Sequence, residues 1–128
     1  MQAKTISRRA AMAIATALLI AVLPAAEALA HAHLKSSTPT ADATVAAPTS
    51  LKLSFNERVE PKFSGVNITG PDKAAIKTGD AAIDPKDGNT LVIPISETLK
   101  AGTYSVDWHA LSADGHKVKG SFAFTVKP

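Results

Sequence analysis

The 128-residue sequence contains no cysteine. Disulfides, thiolate ligands and thiol nucleophiles are therefore excluded, and so is any zinc site built on cysteine spacing. Methionine is nearly absent: the two residues, Met1 and Met12, both lie in the first dozen positions. Residues 31–128 carry no sulfur atom, which rules out soft thioether or thiolate ligation of a monovalent metal within that stretch. Long hydrophobic runs are missing too. The apolar run AAMAIATALLIAVL, residues 10–23, falls short of the ~20 residues a membrane-spanning helix needs. There is no phosphate loop, no dinucleotide fingerprint, no nucleophile–base arrangement and no internal repeat.

That short run has a place of its own. Lys4, Arg8 and Arg9 precede it, and Pro24 and the small-residue tail AAEALA follow. This is the layout of a secretory signal. Ser7-Arg8-Arg9 carries the paired arginines of a twin-arginine signal, although Ala10 and Ala11 follow where a bulkier apolar pair is usual, so the export route stays open. An A-x-A cleavage pattern fits Ala28-Leu29-Ala30, making His31 the first mature residue. It also fits Ala30-His31-Ala32, which would start the protein at His33. Histidine suits the middle of the motif less well, so the first reading is preferred: a signal over residues 1–30 and one domain over residues 31–128. Without Lys4, Arg8, Arg9 and Glu27, the 14 basic and 11 acidic residues fall to 11 and 10. A charge so near zero asks for neither nucleic acid nor anionic lipid.

Within residues 31–128, apolar residues alternate with period two between turn signals. LKLSF (51–55) and FSGVNI (63–68) alternate, and TLVIPI (90–95) is more continuously apolar. TYSVDWHAL (103–111) puts Tyr104, Val106, Trp108 and Ala110 on one face; GSFAFTV (120–126) does the same with Phe122, Phe124 and Val126. A short strand is expected at 34–38, and one or two in the stretch 73–84. Turns are expected at GPDK (70–73), DPKDGN (84–89), KAG (100–102) and ADGH (113–116). No helical stripe is present. About seven short strands at this spacing predict an all-β, immunoglobulin-like antiparallel sandwich. Pro94 inside an apolar run predicts an edge or bulged strand there.

Chemistry must come from four histidines and a few carboxylates. A histidine at a free N-terminus offers its α-amino nitrogen and its Nδ1 to one ion, and the amine, with a pKa of about 7.7–8.0, loses its proton easily to a metal. Nitrogen and carboxylate donors in a square suit Cu(II). His31 fits that role. His33 offers a competing planar mode through the same amine and two deprotonated amides; a frayed terminus is the plain alternative to both. Asp114 and His116 are two apart and can reach one ion, or they form an ordinary hairpin turn at Gly115. His109, between inward-facing Trp108 and Ala110, points outward and reads as a solvated strand residue. Glu57 and Glu60 read as an acidic loop.

Four motifs in order, HAHLKSSTP (31–39), LKLSFNERV (51–59), AGTYSVDW (101–108) and SADGHKVKGSFAFTV (112–126), resemble the CopC family of periplasmic copper-resistance proteins. The resemblance spans nearly all of residues 31–128. It implies a Greek-key β-sandwich that binds one Cu(II) per chain, through the amine and imidazole of His31 together with Asp114 and His116. Glu57 is implied beside the site. It also implies a monomer outside the cytoplasm that exchanges copper with an inner-membrane transporter of the CopD type. A methionine-rich Cu(I) loop, present in some members, has no counterpart here. Two other classes compete. An N-terminal histidine centre also serves copper-dependent oxidative enzymes, but Asp114 would fill the open position such chemistry needs, and one Trp and one Tyr leave little for a sugar-binding face. A metal-free interaction module is the third.

Overall fold

The structure, a computed structural model, describes residues 32–128; the expected signal and His31 lie outside them. Nine strands form two sheets. They are β1 (Leu34–Thr38), β2 (Thr44–Val45), β3 (Ser50–Phe55), β4 (Gly65–Thr69), β5 (Ala75–Ile76), β6 (Ala82–Asp84), β7 (Asp87–Pro94), β8 (Gly102–Leu111) and β9 (Lys117–Val126). One sheet has the order β1-β3-β7-β6 and the other β2-β9-β8-β4-β5. This is the expected immunoglobulin-like Greek-key β-sandwich. The strand number exceeds the expected seven because the stretch 73–84 holds two short strands, β5 and β6, and because the two-residue β2 has too few residues to show a period.

Side-chain alternation fills the space between the sheets. Leu51, Leu53 and Phe55 of β3 and Leu91 and Ile93 of β7 face Tyr104, Val106, Trp108 and Ala110 of β8 and Phe124 and Val126 of β9; all are buried. Phe122 is partly buried against the same core. Burying a side chain of this size contributes ~1.5–3 kcal/mol. The aromatic rings pair within the core, one pair spanning the two sheets and the other joining neighbouring strands of one sheet. Phe55 meets Trp108 edge-on at 5.4 Å, and Tyr104 stacks on Phe124 at 5.4 Å. The Tyr104 hydroxyl escapes burial without a partner by donating to the Lys100 carbonyl at 2.7 Å.

Four expectations need correction. The strand expected from Phe63 begins at Gly65, because Pro61–Phe63 forms a 3-10 turn with proline in its first turn. Phe63 therefore points away from the core and is 65% exposed. β7 is an interior strand rather than an edge. It tolerates Pro94 because that residue is its last, opposite Ser50, with its carbonyl still accepting from Gly79 N–H at 2.8 Å. β9 starts at Lys117, three positions before the expected start, since the β8 ladder continues to the Leu111–Lys117 pair. Finally, the pairing is not wholly antiparallel: β2 runs parallel to β9.

Candidate metal centre

One end of the sandwich gathers the donors. Ala32 is 3% exposed and joins the core. The next residue is tied down twice: His33 N–H donates to Asn56 Oδ1 at 2.7 Å, and Asn56 N–H donates to the His33 carbonyl at 3.1 Å. The loop after β3 is thus stitched to the start of the described chain. Its other side is stitched to the end of β8. Ala113 N–H donates to the Arg58 carbonyl at 3.0 Å, Glu60 N–H donates to the Leu111 carbonyl at 2.7 Å, and Val59 bridges Ser112. Glu57 lies between these two seams.

Beyond β8 the chain turns through residues 112–116. Gly115 adopts φ 92°, a left-handed conformation that costs glycine nothing. The turn is built around Ser112, which is 1% exposed. Its hydroxyl donates to Asp114 Oδ1 and accepts the His116 N–H at 3.1 Å. Its own N–H donates to the His116 carbonyl at 2.8 Å. These bonds bring His116 Nδ1 to 3.0 Å from Asp114 Oδ1, with both side chains about half exposed. The Ser112 bond, then the His116 bond, pulls the Asp114 carboxyl down to about 2. It is a carboxylate, a ready ligand, across the physiological range.

Two donors at neighbouring corners of a square, each ~2.0–2.1 Å from an ion, are about 2.8–3.0 Å apart. The Asp114–His116 spacing fits. Two donors do not complete a site, and no group of three His, Asp or Glu side chains that could hold a metal exists among the described residues. Glu57 Oε1, however, is shielded from solvent with no hydrogen-bond partner in the structure. A buried oxygen without a partner is costly, and it marks a place where a cation or donor is missing. The donor chemistry of this end of the molecule suits a cation, with two adjacent ligands among the described residues and a third not present among them.

The sequence-expected residues separate accordingly. Asp114 and His116 are together. Glu57 sits on the adjoining loop, and His31 lies outside the described residues. His109 is exposed on β8, opposite Gly65 and Lys119, as expected of a solvated strand residue. Glu60 serves through its backbone, accepting from Ser64 Oγ at 2.7 Å. Ser112 and Asn56 were missed. The signal available for Ser112 was its spacing to Asp114, two residues on, which suits a serine-based turn; Asn56 offered none, because its partner is 23 residues away.

A domain model described as the CopC domain matches residues 34–127. The chain belongs to the CopC family. Protein YobA of Escherichia coli K12 is 47% identical over 114 residues, covering 88% of this chain and 92% of that protein. Copper resistance protein C of Escherichia coli is 44% identical over 110 residues, covering 78% and 84%. The crystal structure of PcoC, described as a methionine-rich copper resistance protein from Escherichia coli, superposes with a TM-score of 0.68 at 42% identity, covering 76% of this chain and 99% of that one. This CopC chain departs from PcoC in one readable respect: residues 31–128 have no methionine at all.

Proposed function

We propose that this CopC-family chain is a Cu(II) carrier or buffer of the periplasm, binding one ion per chain as a monomer. Asp114 and His116 supply two donors. The amine and Nδ1 of His31 supply two more once the signal is removed, and Glu57 supports the site from the neighbouring loop. The observation that carries this reading is the Asp114–His116 pair, fixed by Ser112 and stitched through the 56–60 loop to the first described residues. Ala32, the first described residue, is buried at this end of the molecule, which supports its neighbour in sequence, His31, as a ligand. Copper is cargo here. It passes to or from an inner-membrane transporter of the CopD type, since the domain itself offers only a binding site. Asp114, as a fourth donor, would fill the position that oxygen needs, and this favours a carrier over an oxidative enzyme.

Burial of Ala32 also bears on processing. Cleavage after Ala32 would remove a core residue and convert the His33 amide, bonded to Asn56, into a terminal amine. Cleavage after Ala30 leaves both intact, and this favours His31 as the first mature residue.

The test is Cu(II) titration of the processed protein and its variants. Asp114→Asn and His116→Ala should each weaken binding about a hundredfold or more, because losing a ligand costs more than the 10–100-fold typical of a supporting residue. Glu57→Gln should cost about tenfold. Wild-type affinity no greater than that of a free His-Ala-His peptide would instead favour the metal-free module.

A further inference from the structure

Phe63 is the large hydrophobic side chain that the described fold leaves exposed, at 65%. It does not sit on a loose loop. Glu60 N–H donates to the Leu111 carbonyl at 2.7 Å on one side of the turn. On the other side Leu111 N–H donates to Ser64 Oγ at 3.1 Å. Phe63 N–H itself donates to the Glu60 carbonyl at 3.1 Å. Both flanks of the 3-10 turn are pinned to the end of β8, so the ring is held out over the sheet rather than failing to fold in. Beside it lies a groove of about 380 Å³ on the β8–β9 hairpin, with Ala110, Leu111 and Val118 forming its apolar part. Its charged and titratable lining is of one kind: Lys62, Lys117 and His109, with no carboxylate. Lys119, exposed and opposite His109 in the ladder, extends the same charge. The groove's lysines stand out on a domain whose basic and acidic residues are nearly balanced; the carboxylates of Asp107, beside Lys119, and Asp80, beside Lys62 and His109, line neighbouring hollows rather than the groove itself.

We infer that this groove is a docking surface for an acidic segment of a partner protein, one that carries an apolar side chain to pack against Phe63. An apolar anchor ringed by charge is how specific interfaces divide their work: the anchor supplies affinity, and the rim supplies steering and register. A concave site flanked by lysines matches carboxylates set around a single apolar residue better than it matches the flat face of a bilayer. The location gives docking a purpose. Lys117 directly follows His116, so a partner seated here lies against the hairpin whose turn carries the proposed copper donors. That purpose rests on the copper reading; the docking itself does not.

The experiment is an amide-resolved NMR titration of the copper-free protein with a blocked heptapeptide, one apolar residue set among six glutamates. Shifts should concentrate on residues 62–63, 109–111 and 117–119. Affinity should fall about tenfold or more in Phe63→Ser and in Lys117→Glu, the cost of ~1.4 kcal/mol expected for a truncated anchor or an inverted rim charge. A second peptide with lysine in place of every glutamate should not bind. Phe63 is exposed, so Phe63→Ser should keep the wild-type Tm and the wild-type Cu(II) titration, which separates failure of the docking surface from failure of the copper site. Shifts scattered over the surface, or equal binding by Phe63→Ser, would overturn the proposal. So would binding to vesicles of anionic phospholipid in place of the peptide, since that would make Phe63 a membrane anchor.

Discussion

The hydroxyl of Ser112 donates to Asp114, and that bond is the main reason the carboxyl titrates near 2. A carboxyl lowered on folding from 3.8 stabilises the folded state fully above about pH 4, and the contribution disappears as pH falls toward about 2. Asp114 is half exposed, so solvent keeps that contribution small. The consequence for ligation is larger. Under the proposed ligation Asp114 would need no deprotonation to take copper, so acid release would be governed by the nitrogen ligands instead. Carboxyl-detected NMR of the metal-free protein should place the Asp114 midpoint near 2, and Ser112→Ala should move it up toward 3.8. An unmoved midpoint would assign the effect to His116 instead. Asp114 and His116 are legible in the sequence because D-G-H is a local pattern. Ser112 and Asn56 are not, because what matters about each is a partner supplied by the turn or by a distant strand.

β8 and β9 carry the Asp114–His116 pair on the hairpin between them, and their packing sets how rigidly it is held. Trp108 lies opposite Gly120, and a Cβ at Gly120 would stand 2.6 Å from the indole ring. Only glycine lets the ring lie flat against β9 and still reach Phe55. Gly120→Ala should therefore destabilise the protein by ~1–3 kcal/mol through overpacking, read as a lower denaturant midpoint at unchanged slope. A midpoint equal to wild type would show that the indole can shift at no cost. The long strands are legible because burial on one face writes a period of two into the sequence, as in Tyr104, Val106, Trp108 and Ala110. The same rule misreads Phe63. Its apolar ring looks like core, but it stands an odd number of positions from the buried Val66 and Ile68, and the turn that Pro61 opens leaves it outside. Pro94 misleads for a related reason, since a proline that ends an interior strand looks in sequence like one that interrupts an edge.

At the scale of the whole molecule, the sandwich brings the start of β1, the loop after β3 and the β8–β9 turn to one end. Fold class is legible from strand number and turn chemistry. The convergence of those three segments is not, since it depends on pairings such as Leu34 with Phe55 across the sheet. Under the proposed ligation export and copper binding would be coupled, because the chelate would exist only after the signal is cut. Mass spectrometry of the exported protein should find His31 as the first residue; a start at His33 would move the chelate to that residue, and an uncut signal would break the coupling. Copper should also raise Tm, by ~2.7 kcal/mol of added stability at a free concentration of a hundred times Kd, and should do so only in the processed form. The most direct measurement compares Cu(II) binding, by titration and electron paramagnetic resonance, between the processed protein and a variant with one glycine added before His31. The account predicts that the added glycine greatly weakens binding and changes the nitrogen coordination. Identical affinity and spectra would contradict it, because His31 would then not be a terminal ligand.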